Sequence, residues 1–436
     1  MRPALPITVL LLGAAACAQT EATAEETELL CWLNRFRRDP QAFARLVVDG
    51  HKPENAEHVD WTMFAAEMAE LKPAPPLFFE SRLIDASRAH ARYMVEAKEY
   101  GHHETPGRPG FTGEAPVDRA RAAGYTASVE ECSWARGGTA LEIVAGYVVD
   151  AGAPGTGSGG MQEGRGHRRC MIDGRHREVG VGLFAWGKGL MSSVKLYGRA
   201  PGVDRVLGGV AITDRDGDEF YDVGEGLGGV HILVGDRCTM TSGSGAWRLD
   251  LPGDNRAKKL VARLGSIELV RDIAPGKDNL LIDLIFDIPG VVAGLEATLA
   301  KLPDDAAAQQ RVLRLRLLEL RPPATPAETQ LAGEVGELKA SVLAGLGIWS
   351  RQEATNAFQA GKHAFTGTVV DDWIRQAQIA DALARSAAEI RGSKNAKARA
   401  KQAGVLVVDI ERQLADITSV DLWRTLAEVR RSLLGM

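Results

Sequence analysis

The sequence GHHETPG at residues 101–107 and the sequence GHRRCMI at residues 166–172 are the polar segments of the stretch 101–183, which decides the fold. Between them lie the segment VEEC at residues 129–132 and the single residue Asp150. Imidazoles and carboxylates that distant loops bring together are the usual groups of metal sites and acid–base sites. Glycines beside them let the backbone bend sharply. The sequence therefore predicts that this stretch assembles a polar site.

Residues 1–18 have the organisation of a secretory signal peptide. Arg2 precedes a short apolar run at residues 7–12, and the small residues that follow leave the run too short to span a bilayer. Two processing routes stay open: cleavage at the A-x-A pattern of residues 16–18, or lipid attachment at Cys17, which lacks the leucine expected three residues earlier. We expect plain cleavage and a protein that is secreted or periplasmic.

Composition limits the classes of function. The formal net charge of −5 and the pI of about 6.1 give no electrostatic reason to expect a nucleic-acid partner. The length of 436 residues allows about three domains at typical domain sizes. Apart from Cys17 the chain has four cysteines, and in an oxidising compartment these permit three disulfide connectivities: they are Cys31, Cys132, Cys170 and Cys238.

The apolar periodicity changes along residues 26–197 from helical to strand-like. Apolar residues at helical intervals predict helices over residues 26–43, from Trp61, from Ser81, over 118–123 and over 140–149. Residues 151–166 contain seven glycines and predict an exposed loop. Residues 179–184 and 190–197 then predict a pair of strands. Helices followed by strands indicate an α+β layer fold. His90 lies inside a predicted helix, where a packing role is favoured over a ligand role.

Seven segments, in order, resemble the CAP superfamily, which comprises cysteine-rich secretory proteins, antigen 5 and plant pathogenesis-related proteins. The closest resemblance is to its bacterial branch, and it covers about residues 25–200. The matching segments are the L-N-x-x-R motif at 33–37, P-L at 76–77, H-x-x-P at 103–106, R-x-x-x-A-G-Y at 119–125, the G-E-N position at 130–132, the G-H-R-x-N-I position at 166–172, and V-G-V-G at 179–182.

The resemblance implies an α–β–α sandwich with a cleft that holds two histidines and two acidic residues. By position these are His103, Glu131, Asp150 and His167, and His102 competes for the first place. Such a set could hold a divalent ion, with zinc preferred. We favour a binding module for a small molecule, lipid or peptide over two alternatives. One is a hydrolase that uses a metal-bound water or a His–Glu pair, and the other is a non-catalytic structural protein.

Both asparagines of the family's cleft segments are replaced by cysteine in this chain, at Cys132 and Cys170. Two substitutions of the same kind at neighbouring segments predict that the two side chains meet and form a disulfide. The alternative is a pair of buried free thiols, which is a common use of cysteine.

Residues 203–287 have a strand pattern and contain an acidic loop. They resemble the B-type modules of serine–aspartate repeat surface proteins, which implies a small β-sandwich whose acidic loop binds calcium. Its oxygen ligands would be Asp214, Asp216, Asp218, Phe220, Asp222 and Glu225, with Phe220 contributing its backbone carbonyl. Glu219 stands where an EF-hand has glycine, and an acidic hairpin without metal is the alternative.

Residues 289–436 are poor in glycine and predict an antiparallel helical bundle. Thr325 and Glu328 have the spacing of a capping box, with Pro326 at the first helical position. This region shows no catalytic constellation, and we expect it to mediate a protein contact or self-association.

Overall fold

The computed structural model describes residues 20–135, 138–186, 190–198, 205–251, 258–303, 305–393 and 395–434. The predicted signal peptide, including Cys17, lies outside these ranges. Within them, no helix has both the length and the apolar character needed to cross a bilayer.

The N-terminal part of the chain combines seven α-helices and four strands among its described residues. The helices are α1 Ala24–Arg38, α2 Pro40–Gly50, α3 Trp61–Ala69, α4 Ser81–Ala97, α5 Pro116–Ala122, α6 Ala140–Val149 and α7 Gly166–Ile172. The strands are β1 Phe78–Phe79, β2 Val129–Ala135, β3 Glu178–Trp186 and β4 Leu190–Gly198. The predicted helix over residues 26–43 is divided in two because Asp39 ends α1 and caps α2, with Pro40 at the first helical position.

These elements form a helix–sheet–helix sandwich around a sheet of order β1-β3-β4-β2. The alternation of valine and glycine in β3 builds both faces, since successive strand residues point to opposite sides. Val179 and Val181 enter a core shared with α1, α2 and α6. Gly180 and Gly182 lie against α4 so closely that a Cβ at Gly180 would come within 2.0 Å of the Leu83 carbonyl carbon. The layers are those implied by the family resemblance.

The L-N-x-x-R motif of α1 fixes the segments on either side of it. The Asn34 side chain accepts from the Leu77 amide at 2.9 Å and donates to the Leu77 carbonyl at 3.0 Å, as a neighbouring strand would. Arg37 is fully buried and donates to the carbonyls of Met171 and Asp173 at the end of α7. The first helix therefore positions α7, which begins at the second polar segment.

The middle region consists of short strands in two sheets that share one core. The strands are β5 Arg205–Ile212, β6 His231–Val234, β7 Arg237–Met240, β8 Ala246–Leu251, β9 Lys258–Leu264, β10 Ile267–Ile273, β11 Leu280–Leu281 and β12 Leu284–Ile285. One sheet has the order β10-β9-β6-β7, and in the other β8, β11 and β12 all pair with β5. The described strands thus form the two layers of a small sandwich.

The C-terminal region is helical and has a separate core. Its helices are α8 Ile288–Leu299, α9 Ala307–Leu320, α10 Pro326–Gly345, α11 Arg351–Phe365, α12 Val369–Gly392, α13 Ala396–Leu414 and α14 Val420–Leu434. Thr325 caps α10 through its side chain, as the capping-box spacing predicts. This core contains Trp373, Ala377 and Ala380, which lie on one apolar face of α12.

Candidate functional site

Asp150 and His167 form one half of the site, at the end of α6 and the start of α7. Asp150 ends α6 in a left-handed conformation with φ of 55°, which Asp tolerates better than most residues. Its Oδ2 accepts from the His167 backbone amide at 3.1 Å, and its Oδ1 lies 2.7 Å from His167 Nδ1. Asp150 is 1% exposed, so a buried carboxylate sets the orientation of the His167 ring.

Glu131 and His102 form the other half, on β2 and in the loop after α4. The Glu131 side chain is almost fully buried, and Arg119 donates to its Oε2 at 2.7 Å. Glu131 Oε1 lies 3.1 Å from Nδ1 of His102, whose side chain is 45% exposed. This half repeats the arrangement of the first, because a buried carboxylate again holds the Nδ1 side of a histidine ring.

His102 takes the place that the resemblance gave to His103. The His103 side chain is exposed and has no hydrogen bond or ion pair within the described part of the chain. Gly101 has a φ of 119°, a conformation open to glycine, and it turns the loop so that His102 faces Glu131. Two adjacent histidines thus have different environments, which their order in the sequence does not reveal.

A buried network supports the loop that carries His102. His90 is fully buried, with Nδ1 2.8 Å from Glu104 Oε1 and Nε2 2.9 Å from the Gly101 carbonyl oxygen. Burial by itself would raise the pKa of Glu104, but its hydrogen bonds with His90 and the Thr112 amide and the nearby Arg119 charge lower that pKa overall. His90 therefore has the packing role predicted for it.

The two halves lie side by side at the position of the predicted cleft. The rings of His102 and His167 have centroids 6.5 Å apart, and neither Nε2 has a hydrogen bond within the described residues. In the part of the chain that is described, the four polar groups do not bring three ligand atoms within 4.8 Å of one another. The four groups are therefore not arranged in the structure as direct ligands of one ion, because each carboxylate instead orients an imidazole.

Residues 33–185 match the family model named CAP, the cysteine-rich secretory protein family. The N-terminal part of this chain is a CAP domain. The match contains both segments of the cleft and covers the greater part of the predicted range 25–200. The comparison with curated proteins found no match.

Cys132 and Cys170 of the CAP domain meet, but both are free thiols in the structure. The pKa of Cys170 is raised by a hydrogen bond with Cys132 and by burial. The two thiols are neighbours in the structure, and the predicted disulfide is not formed there. The alternative of two buried thiols describes this arrangement.

The sequence did not predict the contacts of three polar residues in the CAP domain. Arg119 holds Glu131, and Glu130 and His176 lie close to the Cys170 thiol. Arg119 is the first residue of the R-x-x-x-A-G-Y match, but that match gave it no role in the site. His176 follows Cys170 by six residues in a turn, and such a spacing carries no recognisable pattern.

The acidic loop after β5 lies against the CAP domain. The carboxylates of Asp214, Asp216 and Asp218 offer oxygens within 4.8 Å of one another. Phe220 packs on Trp32 of α1 with ring centroids 4.4 Å apart.

The two remaining carboxylates of the predicted calcium ligands differ in exposure, since Asp222 is exposed and Glu225 is buried. The pKa of Asp222 is raised by burial and by the charges of Asp216, Glu225 and Asp218. Glu225 is 4% exposed and accepts from the backbone amides of Arg215 and Asp222. The loop thus concentrates negative charge in a folded segment.

Proposed function

We propose that this protein is an exported binding module whose CAP cleft binds a divalent metal ion through Nε2 of His102 and Nε2 of His167. The observation that carries the proposal is the pairing of each Nδ1 with a buried carboxylate, Glu131 or Asp150. Metal-binding histidines are commonly oriented in this way, since the carboxylate fixes the tautomer and makes the other nitrogen a better donor. The signal-peptide pattern of residues 1–18 supports export.

Two imidazoles leave coordination positions open, which suits binding better than structural bracing. Zinc takes four ligands in most protein sites, so two positions would be filled by water or by a ligand. A carboxylate or another oxygen donor of a small molecule or peptide is the chemistry that such positions accept. His102 is the more exposed of the two histidines and would meet this ligand first.

A zinc titration followed by calorimetry tests the cleft, with the double variant His102→Ala/His167→Ala against the wild type. We expect the double variant to lose the binding event that depends on the cleft. The matched control is His103→Ala, which removes the adjacent exposed histidine and should bind zinc as the wild type does. Equal binding by the wild type and the double variant, or loss of binding in the control alone, would refute the cleft site.

Hydrolysis is a second candidate because Asp150 and His167 have the geometry of an orienting acid and a general base. Their 2.7 Å contact leaves Nε2 of His167 able to take a proton from water. Asp150→Asn keeps a residue that tolerates the left-handed conformation but changes the hydrogen bond to the ring. Turnover of generic ester or peptide substrates that falls in this variant supports hydrolysis, and the absence of turnover in the wild type rejects it.

We also infer that the loop from Asp214 to Glu225 binds calcium and that the bound ion stabilises the β-module. Its clustered carboxylates repel one another, and a cation would relieve that repulsion. Excess chelator should lower the melting temperature of the wild type and leave an Asp214→Asn/Asp216→Asn variant unaffected. A wild-type transition that does not move on chelation would contradict the inference.

A further inference from the structure

A second cluster of metal-binding groups lies in the CAP domain, separate from the cleft. Glu130, Cys170 and His176 each offer one ligand atom, and the three atoms lie within 4.8 Å of one another. The Cys132 thiol lies beside Cys170 and is 3.9 Å from the His167 carbonyl oxygen. Cys132 is fully buried and Cys170 is 8% exposed, so the sulfur atoms are shielded from water.

The alternation of side chains along β2 separates the cluster from the cleft. Glu131 points to the cleft, where it meets His102 and Arg119. Its neighbours Glu130 and Cys132 point to the opposite face, because successive strand residues alternate. Cys170 follows the cleft residue His167 by one turn of α7.

His176 has a buried nitrogen that the described residues leave unsatisfied. The residue is 7% exposed, and its Nδ1 is buried without a hydrogen-bond partner in the part of the chain that the structure describes. Its Nε2 lies 3.7 Å from Glu130 Oε2, and its ring stacks on Tyr197 with centroids 5.4 Å apart. A buried nitrogen without a partner is unfavourable, so a group that satisfies it would stabilise the folded protein.

We propose that Cys132, Cys170, His176 and Glu130 form a second metal site, which takes zinc or another divalent ion that prefers sulfur. Two thiolates, one imidazole and one carboxylate are a set that zinc binds tetrahedrally, at about 2.3 Å to sulfur and about 2.0–2.2 Å to nitrogen and oxygen. Three of the four ligand atoms are already close enough that small side-chain rotations would bring them to one ion.

Charge and access both suit the cluster to an ion. Zinc with two thiolates and one carboxylate carries a net charge of about −1. Lys195 is fully buried beside both thiols, and its ammonium form would balance that charge. The Glu130 side chain is 47% exposed and gives an ion a route from solvent. Binding would release one proton from each thiol, since zinc binds the thiolate form.

Cobalt replaces zinc as a spectroscopic probe that distinguishes this cluster from the cleft. Thiolate-bound Co²⁺ gives a ligand-to-metal charge-transfer band in the near ultraviolet, which imidazole and carboxylate ligands do not produce. We expect the reduced, metal-stripped full chain to develop this band with one equivalent of Co²⁺, and zinc to remove it. The cleft variant His102→Ala/His167→Ala should keep the band, so a failure of the proposed cleft function leaves this test intact.

Variants of the cluster complete the experiment. Cys132→Ser/Cys170→Ser should abolish the band, and His176→Gln should weaken cobalt binding at least tenfold. The matched control is Cys31→Ser/Cys238→Ser, which removes two thiols outside the cluster and should retain the band.

Three results would overturn the proposal. They are the absence of the band in the reduced wild type, its survival in the Cys132→Ser/Cys170→Ser variant, and its loss in the control alone. A Cys132–Cys170 disulfide found by peptide mapping in protein purified without reductant would also overturn it, because that bond removes both thiolates.

Discussion

Single residues in this chain have roles that depend on which side of an element they occupy. The glycines of β3 let α4 approach the sheet, whereas the valines between them fill the core on the other side. A side chain at Gly180 would collide with the backbone of α4, which cannot rotate away as a flexible side chain can. The close contact between helix and sheet therefore rests on the absence of a Cβ.

Gly180→Ala should lower the free energy of unfolding by about 1–3 kcal/mol or more, because α4 must move away from β3. Urea denaturation measures the change. Gly50→Ala is the control, since a Cβ there would contact nothing within 4 Å and alanine favours the helix. Equal destabilisation by both substitutions would contradict the packing argument.

Two adjacent histidines show what the sequence leaves undecided at the level of single residues. The order of the segments proposed Glu131, Asp150 and His167, and the structure places Glu131 beside His102 and Asp150 beside His167. The choice between His102 and His103 depends on the dihedral angles of one loop. The identities of the neighbouring residues do little to determine those angles. The role of the carboxylates depends on distances between elements, which only tertiary packing sets.

At the scale of elements, the apolar periodicity of the sequence predicted helices and strands, but it did not predict which strands pair with each other. The Val-Gly alternation and the apolar spacing of α6 predicted their elements closely. Strand β2 was missed because polar residues at 130 and 131 interrupt its apolar pattern. Such a strand is recognisable only when its pairing with β4 is known.

His231 joins β6 to the end of α13 and should make the protein sensitive to acid. Its Nε2–H donates to the Leu414 carbonyl at 3.1 Å, and burial lowers the pKa of His231 below its ordinary value of 6.5. Arg263 also lowers this pKa, whereas the Leu414 contact and Asp416 oppose the shift.

The unfolded chain therefore binds a proton at His231 before the folded chain does. The stability from this group is present above pH 6.5 and is lost as the pH falls toward the lowered folded value. Melting temperatures from pH 7.5 to about 5 should fall less in His231→Gln than in the wild type. A His51→Gln control should follow the wild type, and identical profiles for all three would contradict this role.

At the scale of the molecule, one buried carboxylate joins the CAP domain to the β-module. Glu178 of β3 is 2% exposed, accepts from the Tyr125 hydroxyl at 2.8 Å and pairs with Arg248 of β8 at 2.6 Å. Arg248 also pairs with Asp250, which is half exposed. Arg248 therefore forms one ion pair with a buried carboxylate and one with a half-exposed carboxylate.

Arg248→Ala should cost about 3–5 kcal/mol of stability, because it leaves the Glu178 charge buried without its cation. Asp250→Asn is the matched control and should cost less than about 1 kcal/mol, since that ion pair is exposed. Denaturant titration of the full chain measures both. Similar small losses would show that the two domains do not depend on this contact.

The opposite faces of β2 have a consequence for how this chain can vary in length. Glu131 contacts His102 in the cleft, whereas Glu130 and Cys132 belong to the cluster on the other face of the strand. Three consecutive residues therefore lie in two different environments. Inserting or deleting one residue before Glu130 would exchange the faces, placing a thiol in the cleft and the cleft carboxylate in the core. Insertions in the glycine-rich loop at 151–166 have no such effect on strand register. Natural length variation should therefore accumulate in that loop and be absent from β2.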